Sequence, residues 1–331
     1  VRELLRIGQA GPPVAAFQIQ LEEAVVRGLR RARLEEQEDK KQQLSITPSQ
    51  ATWSNMQEAA NRRATPLVAG LMFKRAARGT SLPSFHWPRV ASGDEDEVTG
   101  YPAARRWLQQ HVCPSGVTAV LVDREAWLEC KDDSQKLHLK RGKTDVLFVL
   151  DDWVSELCTP GASPANLLLG IVGQTELKTN ATFKNNPNKV MAQAGVEHLS
   201  ACSMVDQLLQ HYPTCKEQGH VFVTMATDLS EHWGLFRLEA YNMVLVNMPP
   251  SGVQRSSPEF VQCATTQAKA YLEQAADRLR AIHDLMNKAP ASDAGPSSRG
   301  GTGQGSAGYG SGQQPGAGSG PSAGAGSGPS A

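Results

Sequence analysis

The chain has 331 residues, and its 33 Lys and Arg residues balance 33 Asp and Glu residues, so the formal net charge is zero. This balance excludes a chain-wide basic field for nucleic acid, and any such attraction has to come from a local patch. No run of about 18 apolar residues is present, so neither a membrane-spanning helix nor a membrane partner is expected.

The six cysteines are scattered, and none belongs to a Cys-x-x-Cys pair or to a Cys/His spacing typical of zinc. We therefore expect reduced thiols in an intracellular protein of the nucleus or cytoplasm. His198, His211, His220 and His232 also lack a paired spacing suited to zinc, and no metal role is assigned to them.

Residues 1–95 are predicted to form a helical N-terminal region. Apolar residues at three- and four-residue spacing over 14–44 predict one long helix. Thr47-Pro48 predicts the start of a second helix that continues through Trp53. Residues 62–89 mix basic residues with proline and glycine and are expected to be irregular.

Residues 96–288 are predicted to form one α/β domain. Helices are predicted over 102–112 and 188–211, and Ser257-Pro258 is expected to cap a last long helix with an apolar stripe. The segments predicted as strands are 117–122, 126–130, 137–140, 145–150, 167–178, 221–226 and 233–240. Residues 289–331 are almost entirely Gly, Ser, Ala, Pro and Gln, which predicts a disordered tail because such a composition cannot form a core.

Two of these strands carry an acidic residue at one end. Asp145 precedes the apolar residues 146–149, and Glu176 ends a second apolar run that continues into Leu177 and Lys178. Because side chains alternate faces along a strand, Glu176 and Lys178 are expected to point the same way, while Leu177 points into packing.

If Asp145 lies beside Glu176, the two carboxylates repel each other by about 4 kcal/mol at roughly 4 Å near a protein surface. A divalent cation reverses that sign, and Mg²⁺ prefers a few carboxylates together with waters and phosphate oxygens. Such an ion polarises a phosphate and lowers the pKa of a bound water. Lys178 would then orient the attacking water or stabilise charge on the phosphoryl oxygens.

The Glu-x-Lys spacing is weak by itself, because the chain contains it three times. Glu38-Asp39-Lys40 lies on a polar predicted helix, where the two side chains would not share a face. Glu129-Cys130-Lys131 lies at a strand end, and its only close upstream acid is Asp123. Only Glu176-Leu177-Lys178 follows an apolar strand, has a separate acid-bearing strand before it and has an amphipathic helix after it. A surface ion pair is the structural alternative for these residues.

The order helix, strands, Asp145, strand, Glu176-Leu177-Lys178, helix and two strands resembles the PD-(D/E)XK nuclease superfamily over roughly residues 97–245. Residues 233–238, which follow a Thr-x-x-Thr-Asp turn, resemble the corresponding strand in members related to Crinkler-type effectors and transposon-associated nucleases. Three departures from the family pattern are visible, and one of them is an extra loop around residues 158–164 in the gap between Asp145 and Glu176. Thr144 stands where a proline is usual, and the nearest candidate for the acid of the first core helix is Glu97, ahead of that predicted helix.

The resemblance implies a restriction-endonuclease-like αβββαβ core with a mixed central sheet, and Mg²⁺- or Mn²⁺-dependent hydrolysis of phosphodiester bonds. It implies that Asp145 and Glu176 bind the metal with help from the Leu177 carbonyl, and that Lys178 is the catalytic residue on the base side. It also implies that Gln193, in the following helix, positions substrate or water.

The implied partner is nucleic acid, DNA ahead of RNA, although the strands of the candidate site carry no basic stripe. Basic residues cluster elsewhere, over 27–33 on the first predicted helix and over 74–89 among aromatic residues. Such side chains contact phosphates and bases in nucleic-acid-binding proteins. A solvated helix face or ordinary packing is the favoured explanation of each cluster.

Two other functions fit the same sequence. One is a nuclease-fold binding or effector module that no longer cuts, which the neutral net charge favours. The other is a protein-interaction scaffold built from the helices predicted over 14–44 and 258–287, which requires both helices to expose their apolar stripes.

Overall fold

The computed structural model describes residues 43–77, 82–122, 127–159, 164–210, 212, 215, 222–239 and 241–288. The helix predicted over 14–44 lies outside the described residues except at its end, where Leu44 begins a strand. The tail predicted over 289–331 lies outside them entirely.

The described residues form ten strands and six α-helices. The strands are β1 (Leu44–Ile46), β2 (Leu67–Met72), β3 (Val117–Leu121), β4 (Leu128–Asp132), β5 (Leu137–Gly142), β6 (Val146–Leu150), β7 (Ile171–Leu177), β8 (Val223–Thr227), β9 (Trp233–Glu239) and β10 (Asn242–Met248). The helices are α1 (Trp53–Arg62), α2 (Glu97–His111), α3 (Val154–Leu157), α4 (Asn180–Asn185), α5 (Pro187–Leu209) and α6 (Pro258–Lys288).

Seven of the strands form one mixed sheet in the order β2-β10-β9-β8-β7-β6-β3. Within it β3, β6 and β7 are antiparallel neighbours, β8 is parallel to β7, and β9 and β10 continue antiparallel. A small second sheet has the order β1-β5-β4. The chain is therefore a mixed α/β protein with a large mixed sheet, and the predicted fold class is confirmed to that extent.

The two longest helices lie on opposite faces of the large sheet. Gly173 and Glu176 of β7 point to opposite faces; a Cβ on Gly173 would lie 3.0 Å from Leu272 of α6, whereas Glu176 contacts Gln193 of α5. The apolar stripe predicted for α6 is buried along most of its length, and Ser257 caps the helix by accepting a hydrogen bond from the Phe260 N–H. Both predicted long helices are therefore confirmed within about two residues at their ends.

The described part of residues 1–95 differs from the helical region that was predicted, because it contains strands β1 and β2. The second predicted helix is present, but it begins at Trp53. Thr52, not Thr47, is its N-cap, since Thr52 and Asn55 exchange backbone and side-chain hydrogen bonds. Residues 62–89 are also not wholly irregular, because β2 pairs in parallel with β10.

Helix α2 starts at Glu97, five residues before the predicted start at Pro102. Asp96 supplies the cap, since its carboxylate accepts hydrogen bonds from the Val98 N–H and the Thr99 hydroxyl. Gly100 is required in this first turn, because a Cβ there would lie 2.5 Å from the ring of Trp87. The extra turn brings Glu97 and Tyr101 into the helix.

The predicted strand 167–178 is shorter than expected, because a 3₁₀ segment occupies Pro164–Gly170 and β7 begins at Ile171. None of the helices in the described part of the chain has the length and apolar character that crossing a membrane requires.

Candidate functional site

Asp145 and Glu176 are brought together by the antiparallel pairing of β6 and β7, in which Val146 lies opposite Thr175. The Asp145 N–H donates to the Thr175 carbonyl at 3.2 Å. The hydroxyl of Thr144 donates to the same carbonyl at 3.2 Å, and Thr144 is buried. Thr144 therefore ties the segment before Asp145 to the strand that carries Glu176.

Glu176 and Lys178 point into the same space, as the alternation of side chains along β7 predicts. The Lys178 ammonium lies 2.7 Å from Glu176 Oε1 and donates to the Leu177 carbonyl at 3.0 Å. It also lies 3.5 Å from Glu97 Oε2, at the start of α2. The Leu177 side chain is fully buried, as predicted.

Asp145 faces the same ammonium from β6. Its Oδ2 accepts a hydrogen bond of 2.7 Å from the Leu177 N–H, and the Tyr101 hydroxyl donates to the same carboxylate. Glu97 in turn accepts from the Thr179 N–H at 3.3 Å. We refer to Glu97, Asp145, Glu176, Lys178 and Gln193 as the Lys178 cluster.

Gln193 reaches the cluster from α5. Its amide Nε2 donates to Glu176 Oε1 at 2.7 Å and to Glu197 Oε1 at 3.2 Å. Glu197 is fully buried, and its Oε2 has no hydrogen-bond partner among the described residues. Lys189, which lies four residues before Gln193 on the same helical face, is exposed.

Burial raises the pKa of Asp145, Glu176 and the neighbouring Glu197. Burial, followed by the charge of Asp145, raises the pKa of Glu176 to about 8. Burial, followed by the charge of Glu176, raises the pKa of Glu197 well above its usual range. Burial lowers the pKa of Lys178, but the carboxylates of Glu176 and Asp145 outweigh it, so the net direction is upward and the amine stays charged.

The donor set can be compared with what a metal ion requires. No group of three or more His, Cys, Asp and Glu side chains within the described residues is arranged to hold a metal. Asp145, Glu176 and the Leu177 carbonyl supply two carboxylates and one neutral oxygen. Mg²⁺ usually keeps several waters and takes only one or two protein carboxylates, so this smaller donor set fits it.

Several other polar and aromatic side chains lie outside the Lys178 cluster. Asp151 follows β6 and accepts a hydrogen bond from the Thr118 hydroxyl, which is a strand-end role. His198 is buried against Thr224 and Cys202 in the core. Most aromatic residues of the basic and aromatic segment over 74–89 are buried in the main hydrophobic core, which agrees with packing.

Sequence reasoning missed Tyr101 and assigned no site role to Glu197. Tyr101 lies four residues after Glu97, so the two share a face of α2. That spacing was readable once the helix start was placed at Glu97. Glu197 lies four residues after Gln193, which places both on one face of α5, but its contact with the cluster depends on how α5 packs against β7.

Comparison of the chain with protein-family models and with curated proteins finds no match.

Proposed function

We propose that the protein is a divalent-metal-dependent nuclease of the PD-(D/E)XK type, which hydrolyses phosphodiester bonds of nucleic acid. The observation that carries this proposal is the convergence of Asp145, Glu176 and Glu97, from three separate elements, on the ammonium of Lys178. Carboxylates can hold a divalent ion that polarises a phosphate, and an amine beside them can stabilise the charge that develops on it.

The order of elements supports the same assignment. Helix α2, the antiparallel strands β3, β6 and β7, helix α5 and the parallel strand β8 follow one another in the sense αβββαβ. Strands β4 and β5 are inserted between β3 and β6, and they pair in the small sheet instead of interrupting the large one.

The charge of the site gives a physical reason for a cation. Four carboxyl groups, those of Glu97, Asp145, Glu176 and Glu197, surround the single ammonium of Lys178. Removing such charges from water costs several kcal/mol each unless they are neutralised. Protonation offsets this cost in the absence of metal, and a divalent cation offsets it with both Asp145 and Glu176 ionised.

Each residue then has a defined role. Asp145, Glu176 and the Leu177 carbonyl would hold the ion, which when bound supplies Lewis-acid polarisation of the scissile phosphate. Lys178 orients the attacking water or stabilises charge on the phosphoryl oxygens. Gln193 holds the Glu176 carboxylate in place, and Tyr101 does the same for Asp145.

A catalytically inactive nuclease-fold module is the second candidate. The observation that favours it is that the Lys178 ammonium already contacts both Glu176 and Glu97. In this alternative the ammonium stays paired with Glu176 and Glu97 and no metal ion takes its place. Nucleic-acid binding then survives the loss of Lys178. The scaffold alternative loses half of its basis, because the apolar stripe of α6 is buried in the core.

The test is a cleavage assay on single- and double-stranded DNA and RNA with Mg²⁺, Mn²⁺ or EDTA. The variants are Asp145→Asn, Glu176→Gln and Lys178→Met, and the matched controls are Glu129→Gln and Lys131→Met in the exposed second Glu-x-Lys segment. We expect metal-dependent cleavage that falls at least about 100-fold in each cluster variant and is unchanged in the controls.

Equal cleavage by the cluster variants would assign the activity to a contaminant. Binding without cleavage in every metal, retained by Lys178→Met, would favour the inactive module.

A further inference from the structure

The turn between β8 and β9 holds an Asp–His pair close to the Lys178 cluster. Nδ1 of His232 lies 2.8 Å from Oδ2 of Asp228. The Lys178 N–H donates to the carbonyl of Thr227, the residue before Asp228, at 3.1 Å. The pair therefore lies at the same edge of the sheet as the carboxyl end of β7.

Asp228 is fully buried and fully hydrogen-bonded. Its Oδ1 accepts from the Ser230 and His232 N–H groups, both at 2.9 Å, and its Oδ2 accepts from the Asn180 amide at 2.8 Å as well as from His232. Burial raises the pKa of Asp228, but the hydrogen bonds from His232 and Ser230 outweigh it and hold the pKa below its usual value. Because an ionised carboxylate only accepts, His232 Nδ1 carries a proton.

The imidazole ring is fixed in direction. It stacks on Phe183, with ring centroids 5.1 Å apart and planes 10° from parallel. The side chain is 17% exposed. Of the described residues, none forms a hydrogen bond with Nε2. One ring nitrogen therefore stays open while the other is held by a buried anion.

The turn itself does not need the imidazole. The Ser230 and His232 N–H groups already close it on Asp228, and the Asp228 N–H donates to the His232 carbonyl at 3.3 Å. Asn180 and Ser230, which both bond to Asp228, also line a cavity of about 460 Å³ whose charged lining residues are Arg89, Glu95 and Glu231. His232 itself is not among the residues that line this cavity.

We propose that His232 binds a phosphate of the nucleic-acid strand, next to the phosphate that lies over the Lys178 cluster. The imidazolium would donate Nε2–H to a phosphate oxygen while Nδ1–H stays on Asp228. Thr227 pairs with both Leu177 and Trp233, so the backbone of His232 is about two strand spacings, roughly 10 Å, from the end of β7. A strand that rises about 3.4 Å per nucleotide covers that span within a few nucleotides. This inference rests on the proposed function.

The experiment separates the phosphate contact from the stability of the turn. In His232→Asn the shorter amide can take the place of Nδ1 on Asp228, whereas in His232→Gln the longer amide reaches toward the position of Nε2. The purified full chain, in EDTA, is titrated with a single-stranded DNA decamer, while imidazole ¹⁵N resonances, binding affinity and Tm are recorded. His138, which contacts Glu129 on the small sheet, is the internal control.

We expect the Nε2 resonance of His232 to shift on titration while that of His138 does not. His232→Asn should keep its Tm and bind the decamer about 10-fold more weakly, and His232→Gln should bind more tightly than His232→Asn. An unshifted Nε2 resonance, or wild-type affinity in His232→Asn, would overturn the proposal. If the shift occurs but wild-type protein cleaves nothing in metal, the phosphate contact stands and the nuclease proposal falls. If the wild type cleaves in metal and His232→Asn binds and cleaves normally, the nuclease proposal stands and the phosphate contact of His232 falls.

Discussion

The ammonium of Lys178 lies 2.7 Å from the carboxylate of Glu176, and the two side chains are only 18% and 4% exposed. Such a pair is costly to desolvate, and its loss on one side leaves a buried charge without its partner. Loss of this contact is therefore expected to change both the free energy of unfolding and the chemistry of the cluster.

Lys178→Met should destabilise the metal-free protein by about 3 kcal/mol at alkaline pH, because Glu176 and Asp145 lose their counter-ion. Urea unfolding followed by circular dichroism measures the change. Lys131→Met, at a position 60% exposed, should stay within about 0.5 kcal/mol of wild type. A Lys178→Met protein as stable as wild type at alkaline pH would show that the ion pair is solvated.

The stability of the metal-free protein should depend on pH through Glu176. Its pKa rises from an ordinary 4.5 to about 8 in the folded chain, so the folded state binds the proton more tightly than the unfolded state. This contribution is fully present below about pH 4.5 and is lost as the pH rises through about 8.

Urea unfolding of wild type and Glu176→Gln, in EDTA at about pH 5 and about pH 9, tests this sign. Relative to the variant, wild type should lose on the order of 3 kcal/mol between the two pH values. Glu129→Gln should show no such slope, because Arg141 and His138 lower the pKa of Glu129. If wild type instead gained stability as the pH rises, pairing with Lys178 would lower the pKa of Glu176 by more than burial raises it.

Gln193→Leu should reduce cleavage about 10-fold and destabilise the chain by about 1–3 kcal/mol, because the carboxyl groups of Glu176 and Glu197 lose a shared donor. Initial cleavage rates and thermal unfolding provide the two readings. Gln274→Leu, at an exposed position of α6, is the matched control. Unchanged rates in Gln193→Leu would restrict Gln193 to a structural role.

Much of the main sheet was predictable because β3, β6 and the start of β7 are largely apolar runs that can be recognised from the local sequence alone. The contact between Glu176 and Lys178 followed from alternation along one strand. Strand β2 was missed although residues 67–72 form an apolar run interrupted only by Gly70, because the run does not alternate and lies in a segment rich in basic residues, proline and glycine. Strand β10 was also not among the predicted strands, although its apolar residues 243–246 give a readable signal and are buried in the fold.

The rest of the site depends on contacts between distant segments. Glu97 joins Lys178 only because α2 starts one turn early and lies over the ends of β6 and β7. The approach of Glu197 and the Asp228–His232 pair likewise depends on how α5 and the β8–β9 turn pack. No local periodicity encodes those distances.

Gly173→Ala should destabilise the sheet by about 2 kcal/mol, because a Cβ there would lie 2.5 Å from the carbonyl oxygen of Val223 on the paired strand β8. The obstructing atom belongs to the backbone, so a rotamer change cannot relieve the contact. Thermal unfolding checks the value, with Lys140→Ala at an exposed strand position as control. A stable, fully active Gly173→Ala protein would contradict the β7–β8 register.

In the proposed nuclease, Asp145 and Glu176 together hold a divalent cation beside Lys178. Calorimetric titration of the metal-free chain with Mn²⁺ tests it most directly, comparing wild type with Asp145→Asn/Glu176→Gln and with the control Glu129→Gln. We expect a binding heat in wild type and the control that disappears in the double variant. A heat that persists in the double variant, or no heat in a folded wild-type protein, would contradict it.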